Sequence, residues 1–197
     1  VNILPLEKEN TMLHKIGIMS ALILGLSMPA AAECLIQKDG IGGIKLGQNL
    51  KQVKQNFPKA KIERTSDGDG MAYVAITLSK DVLVFASQDG QDDPDTPIKL
   101  HKKIDFLETG SSACRTASGV HPGMKIKDAE AKLGKVKEIH LSEIEAREYA
   151  IFVHQPKHFS FEVESGTGIY SGKGEVPNQT RRYRKTGLIE AISVSKY

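Results

Sequence analysis

The sequence predicts an α+β protein of two tandem units, each a short helix followed by an antiparallel β-meander, with the helices packed on the sheet. Two observations carry that expectation. The stretches Ile44–Pro58 (IKLGQNLKQVKQNFP) and Val120–Gly134 (VHPGMKIKDAEAKLG) match at an offset of 76 positions, Val120 minus Ile44. The offset pairs Ile44 with Val120, Gly47 with Gly123, Leu50 with Ile126, Val53 with Ala129 and Phe57 with Leu133. Each stretch reads as an apolar residue, a glycine turn and a helix with apolar positions at i, i+3 and i+7, stopped by Pro or Gly. The second observation is that strand-like segments follow both copies. The chain divides accordingly into residues 1–32, comprising upstream residues and a cleavable signal peptide, a first unit over 33–110, and a second unit over 111–197 with a long loop at 165–187.

The N-terminal part has the pattern of a secretory leader. Met12, His14 and Lys15 form a short basic region, Ile16 to Met28 is apolar and uncharged, and Pro29-Ala30-Ala31-Ala32 ends in an Ala-x-Ala site, with cleavage expected after Ala32. The apolar run of thirteen residues (28 minus 16 plus one) falls short of the about 20 that a spanning helix needs, so a retained anchor is the weaker reading. Residues 1–11 carry no fold logic. Removing Lys8, Lys15, Glu7 and Glu9 with the leader turns 27 basic and 24 acidic residues into 25 and 22, and the net charge stays at +3. That is too mild to indicate a nucleic-acid partner, and the expected location is secreted and periplasmic.

Cys34 and Cys114 both lie in the exported part, each shortly before one copy of the matched stretch. An oxidising compartment lets such a pair bridge, and closing about 80 residues is worth roughly 4 kcal/mol of loop entropy. The alternative for Cys34 is lipidation at the mature N-terminus, against which Glu33 stands where a lipoprotein signal takes a small residue.

In chain order, Gly40 to Gly43 forms a turn, and the first helix runs from an Asn49 N-cap to Phe57, with Pro58 as its stop. Strands are expected around Ala60–Thr65, Met71–Leu78 and Val82–Ser87, separated by the turns Ser66–Gly70 and Ser79–Asp81. After a polar loop, Ile98–Leu107 alternates apolar and charged residues and reads as a strand with one wet face. The second helix spans Lys125 to Leu133 before Gly134. Strands follow around Val136–Leu141, Tyr149–His154, Phe159–Glu164 and Leu188–Val194.

The segment Val120-His121-Pro122-Gly123-Met124, with the helix ending at Leu133-Gly134, resembles the β-lactamase-inhibitor-protein-like group, which includes the SmpA/OmlA outer-membrane assembly lipoproteins. The resemblance covers about fifteen residues per copy. It implies short helices on a small antiparallel sheet, used in tandem, in a protein that binds other proteins and catalyses nothing. The first copy departs from it with Leu46-Gly47-Gln48, and Lys125 stands where the group tends to have a hydroxyl residue. A second likeness, Ser165-Gly166-Thr167-Gly168-Ile169-Tyr170, is similar to the Ser-Gly-x-x-Tyr loop that periplasmic lysozyme inhibitors insert into the enzyme's cleft; a glycine-rich turn at a strand end is the plainer interpretation.

Catalytic signatures are missing: there is no G-x-S-x-G or C-x-x-C, and Gly172-Lys173 precedes Gly174 where a phosphate loop needs Ser or Thr. His154 and His158 are four apart, but Pro156 between them breaks the helical geometry a zinc pair needs. Counted from Asp89, a calcium loop would put Pro94 and Leu100 at its Gly and Glu positions, so Asp89, Asp92, Asp93 and Asp95 read as a solvated loop. Glu138, Glu143, Glu145 and Glu148 read as a wet face. No enzyme, cofactor or metal is therefore expected. The remaining surface candidates are Ser165, Gly166 and Tyr170, and the basic run Arg181, Arg182, Tyr183, Arg184 and Lys185, whose residue types favour protein docking. The expected partner is another envelope or secreted protein, with at most weak contact to a membrane surface. The alternative is a periplasmic inhibitor of a hydrolase such as lysozyme, acting through the 165–170 loop.

Overall fold

The computed structural model describes residues 33–67, 70–90, 93–142, 146–171 and 177–196, together with Val1. From Glu33 onward the described residues belong to one compact unit. Residues 2–32, which hold the expected leader, lie outside them, as do Asp92, Glu143, Glu145 and residues 172–176. No helix among the described residues is long and apolar enough to cross a membrane.

The strands and helices in chain order are β1 (Cys34–Gln37), β2 (Gly40–Ile41), β3 (Ile44–Lys45), α1 (Leu50–Asn56), β4 (Lys61–Ser66), β5 (Ala72–Ser79), β6 (Val82–Gln88), β7 (Ile104–Thr109), β8 (Cys114–Thr116), α2 (Ile126–Leu133), β9 (Val136–Ser142), β10 (Arg147–Phe152), β11 (Phe159–Val163), β12 (Gln179–Thr180) and β13 (Ile189–Ser195). A 3₁₀ turn, Ile169–Ser171, lies between β11 and β12. Four strands form a small sheet in the order β3-β2-β1-β8, and nine form a large sheet in the order β12-β9-β10-β11-β13-β7-β6-β5-β4.

This arrangement overturns the expected fold class. The described chain is mostly β, with helices of only seven and eight residues, and the two meanders do not stand as tandem sheets, each with its own helix. Their last strands, β7 and β13, pair antiparallel from Ile192↔Thr109 to Ser195↔Phe106, so both meanders merge into one continuous sheet. A strand edge left bare exposes a row of unpaired amide groups, and merging the two halves removes two such edges at once.

The helix signals themselves are local and present in the structure. Asn49 caps α1 in a capping box, its Oδ1 accepting from Gln52 N at 3.0 Å while Gln52 Oε1 accepts from Asn49 N at 3.0 Å. Lys125 makes no side-chain cap on α2. Gly47 and Gly123 adopt φ of 82° and 81°, a region that a side chain would strain. Each then donates its N–H at 2.7 Å to the first residue of a central strand, Gly47 to Ile104 O and Gly123 to Ile189 O. Both helix starts are thereby fastened to the strands that meet at the sheet's centre.

Leu50 and Val53 of α1, and Ile126, Ala129 and Leu133 of α2, are buried in one apolar cluster with the inward residues of both sheets. Phe57 caps the end of α1 half-buried. A Cβ on Gly43 would meet its ring at 3.0 Å, so the Gly42-Gly43 turn between β2 and β3 lets the ring close in. Within the cluster Phe152 and Phe161 meet edge to face with centroids 5.5 Å apart.

Two further differences are local. The expected strand Ile98–Leu107 begins only at Ile104, because Gln88 Nε2 donates to the carbonyls of Lys99 (2.8 Å) and Lys102 (3.1 Å) and holds the preceding residues in a turn. The small sheet lies partly where the sequence suggested only a turn. Its β1 and β8 run parallel with Cys34 opposite Cys114, and the two cysteines are bonded.

Candidate functional site

Alternation along the strands gives the large sheet two different faces. One enters the core through Val74, Ile76, Val84, Leu107, Ile192, Phe161 and Ala150. The other carries Tyr73, Phe85, Phe106, Glu108, Ser193, Glu162, Tyr149, Arg147 and His140, following the register Phe85↔Glu108, Ser193↔Glu108, Tyr149↔Glu162 and Tyr149↔His140. None of these aromatic residues belongs to the core cluster. They are half-buried among their neighbours on the open face.

The face has high sides and a low middle. Tyr73 and Phe106 form one aromatic pair with centroids 5.9 Å apart, and His140 stacks on Tyr149 at 5.9 Å on the other side. Between them lie Ala191 and Ser193 of β13, both buried, and the exposed Ser160 of β11. Two cavities open here, one of about 160 Å³ bordered by Asp67, Tyr73, Phe85, Glu108 and Arg147, the other of about 380 Å³ beside His140, Tyr149, Ile151 and Ser160.

The face is also acidic, although the chain as a whole is +3. Asp105, Glu108, Glu138 and Glu162 stand on it with Arg147. Asp105 accepts from Ser87 Oγ at 2.6 Å, and Arg147 bridges Glu162 at 3.6 Å and Asp67 at 3.7 Å. Glu138 lies 3.8 Å from His140 Nδ1.

The residues singled out from sequence sit elsewhere, at the β12–β9 edge, and the structure draws some of them together. Arg184 N donates to Thr167 O at 2.8 Å, and a Cβ on Gly166 would lie 3.9 Å from Arg184 Nη1, so the Ser165–Tyr170 loop and the basic run touch. Ser165 and Tyr170 are exposed, whereas Thr167, Gly168 and Ile169 are buried. Arg181 Nε is tied to Lys137 O at 2.9 Å, and Arg182 and Arg184 are exposed. Tyr183 is turned inward against the apolar cluster and hydrogen-bonds Glu130. Burial first and that carboxylate second push its hydroxyl up to about 12. For Glu130, burial opposes ionisation, but the N–H of Val136, Lys135 and the Tyr183 hydroxyl outweigh it and hold the carboxyl below its ordinary value.

The organiser of this edge is Glu148, which the sequence reading had placed on a wet face. It is 1% exposed. Its carboxylate accepts the N–H groups of Gly168 (2.7 Å) and Ile169 (2.7 Å) at Oε2, and of Gly166 (2.9 Å) and Tyr170 (3.3 Å) at Oε1. A buried carboxylate is tolerable when donors surround it in this way. The alternation Glu148, Ala150, Phe152 is the sequence signal that finds its inward direction. The open-face aromatics carry a signal as well: large rings at the strand positions that alternate with the core residues.

No protein-family model and no curated protein matches the sequence. Among solved structures the chain is similar to the crystal structure of the uncharacterized protein yfeY from Escherichia coli, with a TM-score of 0.51 and 11% identity, covering 83% of this chain and 99% of that one. At that identity the likeness concerns the fold alone.

Proposed function

We propose that the protein is a secreted, periplasmic, non-enzymatic binding module that docks another envelope or secreted protein on the open face of its large sheet. The observation that carries this reading is the row of aromatic side chains outside the core, Tyr73, Phe85, Phe106 and Tyr149, flanking a floor of small residues. Rings held half-exposed on strands give large contact area at little entropic cost, which is how docking surfaces gain affinity. The carboxylates among them select a partner that presents a basic projection, since like charges would be repelled. The disulfide is in keeping with an oxidising compartment, and the resemblance at Val120–Gly134 to a group of protein binders points the same way. The inhibitor alternative gains less support, because the middle of the 165–170 loop is buried against Glu148.

The test is site-specific photo-crosslinking in the periplasm from positions 85, 106 and 149, with position 80 as a control off the face. A single partner captured from all three, and lost on Glu108→Lys with Glu162→Lys, is the expected result. Capture from position 170 but not from the open face would instead make the loop the site and overturn this reading.

A further inference from the structure

A second site, independent of the open face, lies where the small sheet meets the end of α2. β1 buries Cys34 and Ile36 and turns Leu35 outward, 38% exposed. Leu35, Ala117, Leu133, Pro156 and Phe159 line a groove of about 510 Å³, inside the range of roughly 300–1,000 Å³ usual for small-molecule sites. Water against such a lining is unfavourable, so an apolar occupant is favoured.

Some of the polar side chains of the groove are already engaged within the fold. Thr116 Oγ1 accepts from Val120 N at 3.0 Å and lies 3.0 Å from Ser118 Oγ, and Gln37 Oε1 accepts from Lys45 Nζ at 2.6 Å. A peptide laid here would bury backbone groups for which Thr116 Oγ1 and Gln37 Oε1, already engaged, have little to offer. An alkyl chain asks for no such partners. What the groove adds to its apolar lining is positive charge, from Lys38 and Lys132, with no carboxylate among its described lining residues. The lysines are exposed.

We propose that this groove binds a single-chain anionic amphiphile, a long-chain fatty acid, its alkyl chain against Leu35, Leu133 and Phe159 and its carboxylate held by Lys38 and Lys132. Charge selects the head and burial of methylene groups selects the tail.

Fluorescence of cis-parinaric acid on titration with the purified protein tests the site. The expected result is a saturable gain, displaced by palmitate, with methyl palmitate at least about tenfold weaker and the Lys38→Glu/Lys132→Glu variant weakened about tenfold or more. Leu35→Asp, on the exposed side of β1, should abolish binding with an unchanged far-ultraviolet circular dichroism spectrum. If that variant fails to fold, the doubly charge-reversed variant, altered only at exposed positions, decides the matter. No saturable gain, methyl palmitate competing as well as the acid, or undiminished binding by the lysine variant would each overturn the proposal. So would an apolar peptide that displaces the probe more tightly than palmitate.

Discussion

Arg147 Nη2 lies 3.7 Å from Asp67 Oδ2, although Arg147 opens β10 and Asp67 directly follows β4, six places away in the sheet order. At about 4.8 Å per strand a flat sheet would hold those positions about 29 Å apart. The sheet is therefore curled strongly enough to bring Arg147 beside Asp67, and Tyr73, Phe85 and Glu108 line the cavity next to that contact. The Asp67 side chain is 5% exposed and that of Arg147 22%, so the contact is shielded from solvent. Replacing Arg147 by Ala would leave Asp67 and Glu162 facing each other without their shared cation, and should cost about 2–3 kcal/mol in urea unfolding. Arg147→Lys should recover only part of this, since an ammonium lacks the planar fork that now puts Nη2 toward Asp67 and Nη1 toward Glu162.

Glu148→Gln should loosen the 165–170 loop and leave the sheet intact. An amide offers one accepting oxygen, and its NH₂ would confront N–H groups that now point at a carboxylate. The expected cost is about 2–3 kcal/mol, with amide exchange at Gly168 and Ile169 accelerated well before that of β10. Unchanged protection at those two amides would show that the carboxylate is not what holds the loop.

A methyl group on Gly187 would overlap Thr167 Cγ2, because the basic run crosses directly over the loop. Gly187→Ala should destabilise by about 1–3 kcal/mol. Adding Thr167→Ser, which removes that methyl, should return part of the loss. Additive effects in the double variant would mean that the two sites are not in contact.

The Cys34–Cys114 bridge closes a separation of 80 residues, which corresponds to about 4 kcal/mol of loop entropy. The double serine variant should lose about that much in a urea titration. Free-thiol titration of the unfolded, unreduced protein should find none.

Tyr183 and Glu130 give the protein two distinct pH limits. The folded Tyr183 hydroxyl is raised to about 12, so its share of stability is complete below the ordinary value of 10.0 and fades as pH climbs through about 12. Glu130 is lowered, so its share is present above its ordinary value of 4.5 and is lost as pH falls through the depressed folded value. Tyr183→Phe should remove the alkaline step, seen as a missing late phenolate in an ultraviolet titration. It should also bring the acid limb of unfolding to higher pH.

Local signals were legible and assembly was not. The period of Leu50 and Val53, or of Ile126, Ala129 and Leu133, depends only on neighbours along the chain, as does the Asn49 cap, and both helices form where that period appears. Strands of two to four residues, as in the small sheet, are too short to show any period at all. Ile98 and Leu100 alternate convincingly, yet a distant side chain, Gln88, decides their backbone. The union of β7 with β13 is a pairing across more than eighty residues, invisible to any window. The open face follows from that union, which is why Tyr73 and Tyr149 could not be read as parts of one surface.

The position of β13 also orders events in time. It follows every other strand in sequence yet lies between β11 and β7, so the large sheet cannot be completed until this segment has emerged. Until then β7 and β11 present bare edges to any neighbouring chain, a state prone to mispairing. Contacts of such sequence range also slow folding. Deleting Ile189–Ser195 should therefore yield two unjoined meanders that aggregate, with the Asn49-capped helix still able to form.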